Sequence, residues 1–160
     1  MTDWLARKTI GDQHERTVKQ ALETRGWTVH PCGQGTYPAP IQQALGHTHS
    51  ALRYFPDLIA ARGSELVTID AKARMPSTSS QNYAISHTCA LAGLQFMGAH
   101  APVPLYYVLG DLRVLTPAEV LYNAFHTLRP TSGAYHLVSS RHALPFDEVF
   151  GTSTAYERAA

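Results

Sequence analysis

Two apolar runs meeting at Gly63-Ser64 constrain this chain more than any other feature. The stretch from Tyr54 to Arg74 contains Pro56-Asp57 on one side of that step and Asp70-Ala71-Lys72 on the other. This is the signature of a β-hairpin with a two-residue turn, and glycine suits the first central position of a type II′ turn. Arg62 then faces Glu65, and counting outward places Asp57 across from Asp70. Opposed residues on one face have Cβ atoms roughly 4.5–5.5 Å apart. Two carboxylates so placed repel. A cation between them removes the penalty, and hard oxygen ligands suit Mg²⁺ or Mn²⁺. A longer loop would shift the pairing.

The period of two along a strand turns Asp70 and Lys72 to one face and Ile69 and Ala71 to the other. One hairpin thus offers two carboxylates and an ammonium. That set suits metal-assisted hydrolysis of a phosphodiester: the metal polarises the phosphate and acidifies a bound water, while the lysine orients the nucleophile or helps deprotonate it.

A third carboxylate comes from upstream. The spacing predicts a helix from Asp12 to Arg25, with Val18, Ala21 and Leu22 on its apolar stripe and Gly26 ending it. Glu15 shares that inward face near the helix start. Two readings stand for it: an extra metal or water ligand, or half of a capping box with Asp12.

These elements resemble the PD-(D/E)xK nuclease superfamily, the restriction-endonuclease-like fold. The likeness runs from Gly11 to about Ala124. It takes in the helix carrying Glu15, Pro56-Asp57, Asp70-Ala71-Lys72, a second helix, and strands leading into Leu115 to Glu119. The order of elements is similar to archaeal-type Holliday-junction resolvases. Two features depart from them: Asp stands where they usually carry Glu before x-Lys, and the segment from Pro31 to Phe55 is long. The resemblance implies an α/β fold with a mixed central β-sheet flanked by helices. It implies that Asp57 and Asp70 bind Mg²⁺ or Mn²⁺ with the Ala71 backbone carbonyl, that Lys72 acts on the attacking water, and that Glu15 assists. The activity implied is a DNA endonuclease, structure-selective for branched or junction DNA and acting as a homodimer, with a partner protein as one possible source of specificity. Two rivals are a non-catalytic binding module of the same fold and a nuclease for single strands or RNA.

Composition sets outer bounds. The chain has 160 residues, 44% of them hydrophobic and 16% charged, and a formal charge of +1. One domain is the simplest expectation, spanning 1–150, with 151–160 a loose tail. The charge balance does not favour a protein that coats nucleic acid by charge alone. Local basic and aromatic groups are the candidate DNA contacts: Arg16 and Lys19 on the first helix, Tyr37 and Arg53 in the long loop 31–53, Tyr54 just after it, and Arg74 after the hairpin. The alternative for that loop is a disordered surface insertion. Cys32 and Cys89 form no CxxC. With no signal-peptide core and no apolar span, the reading is a cytoplasmic protein with free thiols and no membrane contact.

Further along, a strand is expected at 27–30, a helical turn at 41–45, and a helix from Gln81 to about Gly98. A two-residue hairpin is expected at Gly110-Asp111, and a capping box at Thr116 to Glu119 starting a helix to about Thr127. Tyr135 to Ser139 reads as an edge strand and Leu144 to Phe150 as a closing segment. Tyr83, near the start of the predicted second helix, reads as a partly buried aromatic rather than a DNA contact. His47 and His49 are spaced like a zinc pair but lack a second pair. Gly33 to Thr36 lacks the Lys-Ser/Thr ending of a phosphate loop.

Overall fold

The structure, a computed structural model, describes residues 2–131 and 133–153. The hairpin forms as the sequence demands. β2 (Leu58–Arg62) and β3 (Glu65–Lys72) pair antiparallel, with Arg62 opposite Glu65 and Leu58 opposite Ile69. Gly63 has φ +59 and Ser64 has no positive φ, as a type II′ turn requires.

The hairpin is the middle of a six-stranded sheet in the order β1-β2-β3-β5-β6-β9. β1 is Thr28–Pro31, β5 Leu105–Leu109, β6 Arg113–Leu115 and β9 Leu144–Pro145. β3 and β5 run parallel and the other pairs antiparallel, so the sheet is mixed. A second sheet has three strands in the order β4-β8-β7, namely Asn82–Ser86, Tyr135–Ser139 and His126–Leu128. Five α-helices accompany the sheets among the described residues: α1 (Thr2–Glu23), α2 (Ala39–Gly46), α3 (His87–His100), α4 (Pro117–Asn123) and α5 (Phe146–Phe150).

β5 explains the layering. Leu105, Tyr107 and Leu109 join one buried cluster with Tyr83, Ile85, Ala90, Val120 and Val138. Val108, one step out of phase, joins the other with Val18, Leu22, Ile69, Phe146 and Phe150. A strand covered on both faces is the usual fate of a central parallel strand. α1 and α5 cover one face of the large sheet. α3, α4 and the small sheet cover the other.

α1 ends as the sequence requires. Gly26, at φ +82, donates to Glu23 O, and Trp27 N donates to Leu22 O at 3.2 Å, a Schellman closure with Trp27 and Leu22 in the same core. Its start differs. The helix begins at Thr2, not Asp12: its first turns carry no apolar stripe to mark them in the sequence, and i,i+4 pairs Asp3–Arg7 and Lys8–Asp12 support them. Asp12 is therefore mid-helix, and the capping-box reading of Asp12 and Glu15 falls.

Other boundaries also move. Residues 82–86 are a strand, not the first turn of a helix: Tyr83 and Ile85 alternate with half-buried neighbours and pair with β8. Tyr83 is fully buried, its hydroxyl donating to Asp111 at 2.7 Å. The β5–β6 connection has three residues, because Leu112 adopts φ +57 and its N–H closes on Leu109 O. The capping box at Thr116 and Glu119 is present. That helix ends at Asn123, however, since His126–Leu128 zips onto β8. β8 is consequently central in its sheet, not an edge. Segment 31–53 is not structureless: it holds α2 and 3₁₀ turns at Gln34–Thr36 and Ala51–Tyr54. Of the expected tail, 154–160 lies outside the described residues.

Gly93 sits at the tightest approach of α3 to the sheet. A Cβ there would run into the Tyr107 hydroxyl and the Pro117 ring. In an open helix, Gly→Ala is favourable by about 1 kcal/mol. Here overpacking wins, and Gly93→Ala is expected to destabilise by about 1–3 kcal/mol, read as a lower midpoint in urea. A higher midpoint would show that the contact is slack.

Candidate active site

β3 runs past the start of β2, leaving a notch beside Asp70, Ala71 and Lys72. Asp57 stands in the notch, one residue before β2 and across from Asp70 in the continued register. Its Oδ2 accepts the Ala71 N–H at 2.8 Å, replacing the carbonyl that a longer β2 would offer. Its own carbonyl accepts the N–H groups of Cys32 at 2.8 Å and Gly33 at 3.2 Å. The backbone approaches so closely here that a Cβ on Gly33 would lie 2.9 Å from Asp57 Cα. Both ends of segment 33–56 are thus fastened at Asp57.

Lys72 Nζ donates to Asp70 Oδ2 at 3.1 Å and lies 4.5 Å from the centroid of the Tyr107 ring. The Tyr107 hydroxyl donates in turn to Cys89 O at 2.9 Å. Glu15, on α1, lines the same groove as Asp57 and Ala71. The preceding residue, His14, is the polar group that sequence reasoning missed. It is buried and makes a 2.9 Å bond from Nε2 to Val108 O, which pins the turn carrying Glu15 onto β5. A carbonyl only accepts, so Nε2 carries the proton. The signal was its spacing: His14, Val18 and Leu22 stand at i, i+4 and i+8, so the histidine lies on the same inward stripe.

The electrostatics follow from crowding acids. Burial, then Asp70, then Glu15 push the Asp57 carboxyl up to about 8, against the Ala71 N–H and Lys72. Glu15 also rises, through burial, Asp12 and Asp70. Burial opposes the charge on Lys72, but Asp70 and Asp57 outweigh it and hold the ammonium above its ordinary value. Burial and Asp57 push the Cys32 thiol up to about 11, so it is protonated and unreactive at neutral pH.

Among the described residues no three His, Cys, Asp or Glu side chains converge closely enough to hold a metal ion. The carboxylates that the register places opposite one another are Asp57 and Asp70, with Glu15 on the groove wall within electrostatic reach of both. A half-buried acid pair, whose repulsion Lys72 and the Ala71 N–H offset only in part, fits a hard divalent cation.

The candidate DNA contacts are scattered. Arg16 folds back to Asp12 O at 3.3 Å and Lys19 lies 3.8 Å from Glu23, and neither lines the groove. Arg7 and Lys8 do. Arg53 donates to Thr48 O at 3.2 Å and sits 5.8 Å from the Tyr54 ring, and Tyr37 is partly exposed ahead of α2. Arg74 lies 5.7 Å from the Tyr135 ring, beside a second cavity of about 370 Å³ that Lys72 also borders.

No protein-family model matches the chain, and no curated protein sequence matches it. Among solved structures it resembles Hjc, a Holliday junction resolvase from the archaeal hyperthermophile Archaeoglobus fulgidus, with a TM-score of 0.51 and 19% identity over 88% of this chain and 100% of that one. The chain has the restriction-endonuclease-like fold. D212, a nuclease from a fusselovirus, also aligns, with a TM-score of 0.45 and 11% identity over 99% of this chain and 94% of that one. Within the restriction-endonuclease-like fold, the notch beside β3 is where the acid pair of this chain lies. Among the described residues no helix is long and apolar enough to cross a membrane.

A carboxyl with a raised folded-state pKa costs the fold progressively more as pH climbs from its unfolded value, about 3.9, to its folded value. In EDTA the melting temperature should therefore carry a downward component between pH 4 and about 8, the value to which Asp57 is pushed. Asp57→Asn keeps an acceptor for Ala71 N–H and should remove that component, melting higher than wild type at pH 7 but not at pH 4. Parallel pH profiles for the two proteins would contradict this assignment.

Proposed function

We propose that the protein is a metal-dependent endonuclease hydrolysing DNA phosphodiesters, selective for branched or junction DNA. The observation that carries the reading is the hairpin notch, where Asp57 and Asp70 oppose each other with Lys72 bonded to Asp70. The likeness in fold to a Holliday junction resolvase supports it. Asp57 and Asp70 would hold Mg²⁺ or Mn²⁺. The Ala71 carbonyl would join them, because the N–H and C=O of one strand residue point to the same side and its N–H already faces Asp57. Glu15 would assist from the groove wall. When bound, the metal supplies an acidified water and charge neutralisation at the phosphate.

Lys72 enters as a cation. Its ammonium is held charged chiefly by Asp70, to which it is bonded, so it positions the nucleophile and meets developing negative charge rather than starting as a base. Substrate preference would come from the groove walls, a homodimer or a partner protein. Among the described residues both cysteines are free, which suits a reducing, cytoplasmic setting.

Labelled four-way junction, linear duplex and single-stranded DNA should be cleaved in Mg²⁺ or Mn²⁺ and not in EDTA, with the junction preferred. Asp70→Ala and Lys72→Met should each lower the rate on the order of a hundredfold or more. Tight DNA binding with no cleavage under any metal would instead make the chain a binding module.

A further inference from the structure

The groove that reaches Asp57 has two unlike walls. One is α1, presenting Arg7, Lys8, Gly11, Asp12 and Glu15. The other is the segment Gln34, Gly35, Ala39, Gln42 and Gln43, and Asp57 and Ala71 form the floor. Between Pro31 and Leu52 the sequence has no Lys, Arg, Asp or Glu. The second wall therefore cannot neutralise a phosphate by ion pairing. Its chemistry is amide and small side chains, with side-chain N–H and C=O groups of the kind that pair with base edges.

Those amides are available. The Gln43 side chain has no hydrogen-bond partner among the described residues. Gln42 donates only to Tyr37 O at 2.7 Å and Gln34 only to Arg53 O at 3.2 Å, which leaves each side-chain carbonyl free. On the opposite wall, Lys8 is paired with Asp12 at 2.9 Å and Arg7 with Asp3 at 2.8 Å. Both pairs are exposed, and such pairs are weak enough to yield a cation to phosphate.

The two walls keep a fixed relation to the acids. No residue from Gln34 to Leu52 is buried, so the segment stands off the core, yet its ends are tied to Asp57 through Cys32 and Gly33. The groove holds about 860 Å³. That is the scale of a small-ligand pocket or a few nucleotides, not a duplex. A duplex turns a phosphate backbone to either side, and the second wall has no cation to meet one of them. A single strand has one charged edge and one base edge, which matches these walls.

We infer that this groove seats an unpaired DNA strand, with its phosphates along Arg7 and Lys8 of α1 and its bases against Gln34, Gln42 and Gln43. The inference rests on the nuclease reading and narrows it to DNA with unpaired nucleotides beside the scissile phosphate, as at the mouth of a branch.

The test is fluorescence anisotropy with the full chain in Ca²⁺, using a short labelled single strand, the same strand built of abasic sites, and its duplex. The base-bearing strand should bind tightest. Gln42→Ala with Gln43→Ala should weaken it roughly tenfold and leave the abasic strand unchanged, whereas Lys8→Ala should weaken all three alike. Gln43→Ala alone breaks no internal hydrogen bond and should show the same selectivity at smaller size. Equal binding of abasic and base-bearing strands, or tighter binding of the duplex, overturns the inference. Cleavage assays on the same substrates separate it from the nuclease reading: metal-dependent cleavage with duplex preference keeps the enzyme and removes the unpaired strand. Selective binding of the base-bearing strand without cleavage does the reverse.

Discussion

The hydrogen bond from Ala71 N–H to Asp57 Oδ2 is the constraint on which the site depends. It ends the β2–β3 ladder with a side chain instead of a strand, so the sheet stops where a cavity begins. It also holds one acid opposite another. At a cross-strand separation of about 5 Å and an effective dielectric of about 20, two such charges repel by roughly 3 kcal/mol. Fully burying one leucine or phenylalanine returns about 1.5–3 kcal/mol. The cluster containing Leu22, Leu58, Ile69 and Phe150 easily outweighs the repulsion. The fold can carry a strained acid pair because its hydrophobic layers lie directly beneath it.

The site draws on both layers. Glu15 arrives from α1, seated by the bond of its neighbour His14 to Val108 O. Lys72 lies over Tyr107, whose hydroxyl reaches α3 at Cys89 O. β5 connects the two, since Tyr107 and Val108 are adjacent residues turned to opposite faces. Displacement of either helical layer would therefore be felt at the acids through one strand.

Much of this was legible in the sequence because it is local. Gly63-Ser64 sets the turn, the turn sets the register, and the register sets Asp57 against Asp70. Thr116 and Glu119 bond each other within one helical turn, so their spacing alone identified them. The missed features depend on distant partners. Tyr83 and Ile85 fit a strand only because β8 lies beside them. Ser86 then caps α3, so a run that reads as one helix divides in two. The first turns of α1 have no apolar stripe and are helical through charge pairs. His14 has a role only once a carbonyl 94 residues away is in place. The walls of the groove were hidden for the same reason: Arg7 and Gln43 are neighbours only across a cavity.

The seam where the first helix meets the last has a consequence for how the molecule comes into being. Trp27 Nε1 donates to Phe150 O, Arg62 reaches the same carbonyl, and Arg25 pairs with Asp147 at 2.6 Å. On a ribosome Trp27 emerges 123 residues before Phe150. Val18, Leu22 and Trp27 share their cluster with Leu58, Val67 and Ile69 of the hairpin, which follow soon after, but their contact with Phe146 and Phe150 waits until those residues leave the exit tunnel. The hairpin acids therefore come together early, and the seam that closes this face of the core forms only after residue 150 has been made.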